Sequence, residues 1–148
     1  MAIAHDSAPA SVTIRRTIPA RREAVFAAWT TPDTLKRWSA PGDRTNPVVE
    51  VDLRVGGRYR IDIAAPTGPA HRVVGEYVEV DAPRRLVYTW RWETNPAMGE
   101  TLITVDFHER GAETEVVLVH SRMPSAEAAR NHEAGWVGCF EKLERLLV

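Results

Sequence analysis

Residues 125–147 read SAEAARNHEAGWVGCFEKLERLL, and this stretch decides the fold. At 100° per residue its large apolar side chains fall within one narrow stripe, which is typical of a helix packed on one side. Ser125 is a suitable N-cap for that helix. A helix of this length is about 34 Å long and must lie across something large. The stripe consists of Ala129, Trp136, Phe140, Leu143 and Leu147.

The preceding stretch, residues 48–121, has a period of two and supplies that partner. Tyr88, Trp90 and Trp92 alternate with polar residues, as in a strand with one buried face. Turn residues such as Gly56-Gly57 separate the alternating runs. Short strands joined by short turns indicate an antiparallel meander. The simplest way to bury both apolar surfaces is a bent sheet around the final helix, with an internal cavity as a by-product.

The N-terminal part completes an α+β arrangement. Residues 11–18 alternate as a strand, and residues 20–29 have helical spacing. A second short helix begins at Pro32, with Thr31 as its N-cap. We therefore predict a helix-grip fold: a curved antiparallel sheet of about six to seven strands around a long C-terminal helix, with two short helices after strand 1. Residues 1–10 are predicted to be a flexible lead-in, and residues 11–148 a single domain.

Composition narrows the function. The 148 residues carry 19 basic and 20 acidic side chains, so no basic surface for nucleic acid is indicated. A single cysteine, Cys139, rules out an internal disulfide. No apolar run approaches the roughly 20 residues that span a bilayer, and the N-terminus lacks the features of a secretory signal. We expect a cytoplasmic protein that does not bind membranes and is a monomer or weak homodimer.

Five stretches in the same order resemble the START-like helix-grip (SRPBCC) superfamily, and within it the branch named after the heat shock protein 90 ATPase activator. The resemblance implies a ligand cavity between sheet and helix, often for aromatic or lipid-like molecules. It carries over no catalytic residues. The matching stretches are 25–33 (VFAAWTTPD) with Trp38, 52–59 (DLRVGGRY), 75–83 (GEYVEVDAP), 86–90 (LVYTW) and 132–136 (HEAGW).

Aromatic and histidine side chains are the candidate ligand contacts. Trp90 and Trp92 share a strand face with Tyr88, and Trp136 lies on the helix stripe, so three indoles converge if that face is concave. Packing of the core is the alternative interpretation. His120 and His132 could orient a ligand oxygen or act as a base, or could be partly solvated rim residues bonded to backbone. The predicted site is Trp38, Tyr59, Ile61, Tyr88, Trp90, Trp92, His120, His132 and Trp136.

Other chemistry has little support in the sequence. A zinc-protease helix needs a second histidine four positions after His132, where Trp136 stands. The five histidines have no ligand-like spacing, and no nucleophile elbow or phosphate loop occurs. Cys139 is predicted to lie in the middle of the last helix beside Phe140, where a buried thiol behaves as a small hydrophobe. We therefore predict no metal, no cofactor and no catalytic residue.

Three functions remain open at this point. The leading hypothesis is non-catalytic binding of a small hydrophobic molecule, flat and mostly apolar with one or two polar atoms. The first alternative is a small cofactor-independent enzyme, such as a cyclase or dehydratase, acting on a hydrophobic substrate. The second is a protein-interaction module similar to a co-chaperone, which a large exposed apolar patch would favour. The identity of the ligand is not encoded in any motif.

Overall fold

The computed structural model describes residues 10–147. The predicted α+β helix-grip fold is confirmed: one antiparallel sheet of seven strands, two short helices after the first strand and one long C-terminal helix. The predicted lead-in lies outside the described residues, except for Ala10, which begins the first strand. The elements are β1 (Ala10–Ile18), α1 (Arg22–Thr30), α2 (Pro32–Trp38), β2 (Val49–Val51), β3 (Arg58–Ile63), β4 (His71–Asp81), β5 (Arg85–Trp92), β6 (Thr101–Arg110), β7 (Glu113–Met123) and α3 (Ala126–Leu147).

The sheet is a meander from β2 to β7, closed by β1 at the far edge. Its order is β1-β7-β6-β5-β4-β3-β2, and every pairing is antiparallel. β4 carries a bulge between Tyr77 and Glu79, a feature that bends a strand and increases its twist. Gly56, with φ of 83°, makes the predicted turn between β2 and β3. β2 is shorter than the alternation from Val48 to Leu53 suggests, because only three residues pair with β3.

α3 packs along one side of the sheet rather than over its middle. It lies closest to β1 and to α2. The Ser125 hydroxyl accepts a hydrogen bond from the Ala128 N–H at 3.1 Å, which confirms the predicted N-cap. Ala129, Trp136, Phe140 and Leu143 of the predicted stripe are buried, whereas Leu147 is only half-buried.

The two short helices close one end of the sheet. α1 buries Phe26 and Trp29 against Phe107 of β6, with ring centroids 5.3 Å and 5.6 Å apart. The Trp38 indole at the end of α2 donates to the Ala28 carbonyl at 2.9 Å and so ties the helices together. Thr31 is the N-cap of α2 as predicted, but its hydroxyl makes no capping hydrogen bond.

Within residues 10–147, no helix has both the length and the apolar character needed to cross a membrane.

Candidate functional site

A large cavity separates β3, β4 and β5 from α3 and α2. Its volume is about 1050 Å³. α3 lies closest to β1 and α2, and residues of its N-terminal half face β3 to β5 across the cavity. We call this space the central cavity. Its mouth carries exposed polar side chains, among them Arg44, Thr94, Glu127 and Asn131.

Only some types of aromatic residue line the central cavity. All five tryptophans and all three tyrosines of the chain line it, whereas the three phenylalanines do not. Trp90 is the centre of the indole group, with centroid distances of 5.9 Å to Trp92 and 5.7 Å to Trp136. The predicted convergence of three indoles is therefore observed.

Eight of the nine predicted site residues line the central cavity, and His120 is the exception. His120 is completely buried, with a relative exposure of 0%. The interpretation of His120 as a partly solvated rim residue is wrong, because β7 continues to Met123 and the rings of Trp90 and Trp136 pack against the imidazole. Its ring lies 5.4 Å from that of His132.

The hydrogen bonds of His120 fix its tautomer. The Trp136 indole N–H donates to His120 Nδ1 at 3.0 Å, so this nitrogen carries no proton. Nε2–H therefore donates to the Thr101 hydroxyl at 2.7 Å, and that hydroxyl donates to the Trp90 carbonyl at 2.9 Å. Burial, with a smaller effect of His132, lowers the pKa of His120 to about 3. His120 is thus a neutral link between α3 and the sheet.

His132 repeats this arrangement at the cavity wall. The Trp92 indole N–H donates to its Nε2 at 3.0 Å, and its Nδ1–H donates to the Ala128 carbonyl at 2.8 Å. Burial lowers the pKa of His132, and the Ala128 carbonyl partly opposes this shift. Both nitrogens of both histidines are therefore occupied within the protein, and an indole N–H holds each acceptor nitrogen.

A glycine on the neighbouring strand makes room for the Tyr59 side chain. Its hydroxyl donates to the Thr89 carbonyl of β5 at 2.5 Å, passing over Gly75 of β4. A Cβ at Gly75 would lie 2.0 Å from that carbonyl oxygen and 2.6 Å from the Tyr59 ring. Gly75 is thus required for this close approach. Burial raises the pKa of Tyr59 well above its ordinary value, so the phenol remains neutral.

Cys139 also lines the central cavity, and burial favours the neutral form of its thiol. Burial raises its pKa to about 12, so the thiolate is scarce at neutral pH. No group of three or more possible metal ligands occurs among residues 10–147.

Two lining aromatics escaped the sequence-based prediction of the site. Trp29 was assigned only to helix packing, yet its indole donates to the Tyr88 hydroxyl at 3.1 Å. Tyr77 packs with Tyr59 and Tyr88, at centroid distances of 5.6 Å and 6.0 Å. Gly75 could have indicated that Tyr77 belongs to the site. A glycine inside a strand marks a close approach of another group, and Tyr77 lies two residues further along on the same face.

Known structures reproduce this fold closely. A protein from Chromobacterium violaceum matches with a TM-score of 0.87 at 27% identity, covering 93% of this chain and 96% of the other. One from Staphylococcus epidermidis matches with a TM-score of 0.77 at 28% identity, covering 93% and 88%. The AHSA1 protein from Silicibacter pomeroyi matches with a TM-score of 0.84 at 23% identity, covering 93% and 97%.

The family comparison agrees with the structural one. No curated protein matches this chain at a significant level. The family described as activator of Hsp90 ATPase homolog 1-like protein matches residues 19–148, which include α1 and every later element. The chain therefore belongs to the activator of Hsp90 ATPase homolog 1-like family, within the helix-grip superfamily.

Proposed function

We propose that this protein binds a small, mostly apolar molecule, aromatic or lipid-like, in the central cavity. The observation that carries the proposal is the cavity itself, about 1050 Å³ in volume and lined by every tryptophan and tyrosine of the chain. Small-molecule sites typically have roughly 300–1,000 Å³ and an apolar lining with a few polar groups. Protein interiors are otherwise close-packed, so a ligand in a space of this size would gain many dispersion contacts with its lining.

The histidines favour binding over catalysis. A general base needs a free lone pair within reach of the substrate. At His120 and His132 that lone pair accepts an indole N–H, from Trp136 and Trp92 respectively. Proton abstraction at either site would first require the indole bond to break. The enzyme alternative therefore gains no support from His120 or His132.

The test is a ligand panel read by tryptophan emission and thermal melting. Suitable probes are naringenin, anthraquinone-2-carboxylate and palmitate, which represent flavonoid-like, polyketide-like and fatty-acid ligands. We expect at least one class to quench emission with one-to-one stoichiometry. At a ligand concentration of about 100 Kd, stabilisation of ~2.7 kcal/mol should raise Tm by about 5–10 °C. Neither quenching nor a shift in Tm with any probe would contradict the proposal.

Two alanines near the start of α3 provide a matched control. Ala128 lines the central cavity, whereas Ala126 is exposed and does not. Ala128→Phe should narrow the cavity and weaken binding, while Ala126→Phe adds the same ring outside it and should leave binding intact. Equal affinities in the two variants would place the ligand elsewhere. Native mass spectrometry of the protein purified from its own source would then identify the natural ligand by its mass.

A further inference from the structure

The polar ends of the eight cavity aromatics are not all satisfied. Five of them donate hydrogen bonds within the protein, from Trp29, Trp38, Tyr59, Trp92 and Trp136. The other three aromatics, Tyr77, Tyr88 and Trp90, donate to no acceptor among residues 10–147. Native proteins pair the large majority of their buried polar groups. The Trp90 indole N–H is enclosed without a partner, and the Tyr88 hydroxyl combines burial with a place in the cavity lining, so the protein leaves both donors unused.

Tyr88 is the central donor of the three. It is only 6% exposed and lines the central cavity. Its oxygen accepts the Trp29 indole N–H at 3.1 Å, which occupies one lone pair and leaves the hydroxyl proton free. Burial raises the pKa of Tyr88 above its ordinary value, so the proton is present throughout the neutral range. Trp29 thus holds a protonated hydroxyl in place without using its donor capacity.

Tyr77 and Trp90 flank Tyr88. The Tyr77 ring lies 6.0 Å from the Tyr88 ring, and burial together with Asp52 raises the Tyr77 pKa. Trp90 follows Tyr88 by two residues on the same face of β5, and its indole nitrogen is buried without a partner. Of the imidazoles that line the cavity, His132 has both nitrogens bonded within the protein, whereas the exposed His71 is bonded at Nδ1 to the Thr94 hydroxyl. Around Tyr88 the cavity therefore offers spare donors to a ligand, and His132 has no free acceptor nitrogen beside them.

We propose that Tyr88 is the polar anchor of this site, and that its hydroxyl, with Tyr77 beside it, donates hydrogen bonds to an oxygen of the ligand. The ligand class is aromatic ketones, quinones and similar flat molecules that carry a carbonyl acceptor. This inference rests on the proposed function, because it requires that the central cavity binds a small molecule. It adds the functional group by which that molecule is recognised.

The test compares 2-acetylnaphthalene with 2-ethylnaphthalene, which have nearly the same shape and differ by a carbonyl in place of a methylene. Isothermal titration calorimetry gives both Kd values, and their ratio defines the preference for the ketone. Tyr88→Phe should reduce that ratio by about 3–10-fold, the loss expected for one hydrogen bond. Tyr59→Phe is the matched comparison: Tyr59 also lines the cavity, so both Kd values can change together, but its hydroxyl is already bonded to Thr89, so their ratio should stay unchanged.

The outcomes separate this inference from the proposed function. If the wild-type protein binds neither naphthalene but binds a probe of the ligand panel, the carbonyl anchor is wrong and the proposed function stands; if it binds none of these compounds, both are overturned. If it binds both, but Tyr88→Phe and Tyr59→Phe give the same ratio, the carbonyl anchor is wrong and the proposed function stands. Tyr88→Phe leaves the Trp29 N–H without an acceptor, so its fold is checked by circular dichroism. Should it fail to fold, Tyr77→Phe replaces it, since the Tyr77 hydroxyl has no partner within the described residues to lose.

A spectroscopic measurement on the wild-type protein gives an independent answer. The carbonyl stretch of ¹³C-labelled 2-acetylnaphthalene falls in frequency when the oxygen accepts a hydrogen bond. In the complex we expect the band below its position in cyclohexane, and closer to the cyclohexane position in the Tyr88 or Tyr77 variant. A wild-type band at the cyclohexane position would overturn the anchor, whatever the affinities.

Discussion

Two halves of the sheet use aromatic residues in different ways. In the packed half, formed by β1, β6 and β7 with α1 and the end of α3, all three phenylalanines are buried in continuous contact with the core. In the hollow half, formed by β3, β4 and β5 with the start of α3, the tyrosines and most of the tryptophans surround the central cavity. Trp29 joins the halves, since it packs on Phe107 and bonds to Tyr88.

The difference follows from one property of the side chains. Phenylalanine has no polar atom and can be enclosed completely, whereas the N–H of tryptophan and the O–H of tyrosine need a partner. The packed half therefore provides a dry core, and the hollow half places polar aromatic tips where a ligand can meet them. Stability and binding should then respond to different substitutions.

The largest expected effect is on stability in the packed half. Leu143 is fully buried beside Phe140, so Leu143→Ala should lower the free energy of unfolding by about 2–5 kcal/mol. Ile61 borders the central cavity and already lacks neighbours on one side, so Ile61→Ala should cost only about 1–2 kcal/mol. Urea melts of both variants measure the difference. Equal losses would mean that the two halves are packed alike.

Acid should produce the next largest effect, through His120 at the junction of the halves. Its folded pKa of about 3 lies below its ordinary value of 6.5, so the unfolded chain binds the proton first as the pH falls. The contribution of neutral, buried His120 to the free energy of unfolding is therefore present above the ordinary pKa of 6.5 and is lost as the pH falls below it. Between pH 7 and pH 5 we expect a loss of about 2 kcal/mol, measured by urea midpoints.

Between pH 7 and pH 5, titration of Asp62 does not add to this loss of stability. Arg60 and Arg72 lower the pKa of Asp62 below 3.8, so Asp62 remains ionised down to pH 5. His132 also has a lowered pKa and adds to the loss in the same direction. His120→Gln should reduce the pH dependence. An unchanged dependence in this variant would show that His120 is not the group responsible.

A smaller effect distinguishes the halves by binding. Trp90 makes no hydrogen bond through its indole, so Trp90→Phe should lower ligand affinity and quenching several-fold while stability changes by less than ~1 kcal/mol. Phe26→Leu, in the packed half, should do the reverse. Fluorescence titration and urea melts of the pair measure both quantities. A variant that lost both stability and affinity would show that the two halves do not serve separate roles.

The smallest effect is expected at Cys139. Its thiol has a pKa raised to about 12 by burial, so no thiolate chemistry should contribute to binding. Cys139→Ala should keep ligand affinity within about twofold, because the substitution removes only the sulfur atom of a small apolar side chain. A large loss of affinity with an intact circular dichroism spectrum would reveal a specific role for the sulfur.

The sequence predicted the layers of this fold because period is a local property. Alternation along 86–92 gave the inward face of β5, and the stripe from Ala129 to Leu143 gave the face of α3. Eight of the nine predicted site residues line the cavity for the same reason. Period shows which face of an element is buried, however, and not what lies opposite it.

The remaining features depend on how the elements are placed in three dimensions. The sequence left His120 either as a ligand contact or as a partly solvated rim residue, but β7 continues to Met123 and the histidine is completely buried. Trp29 reaches the cavity only because α1 packs against the end of the sheet beside Tyr88. The placement of α3 closest to β1, away from β3 to β5, is likewise encoded in no local pattern.

The most direct test of the central claim is an ¹H–¹⁵N correlation spectrum of the wild-type protein with and without 2-acetylnaphthalene. All five tryptophans line the cavity, so their indole N–H signals form a complete set of reporters. We predict that the Trp90 and Trp92 signals and the amides of β3 to β5 shift, while those of β1 change little. Shifts confined to the exposed apolar residues Leu53, Val55 and Val78, as for a protein-interaction module, would contradict a ligand site in the hollow half.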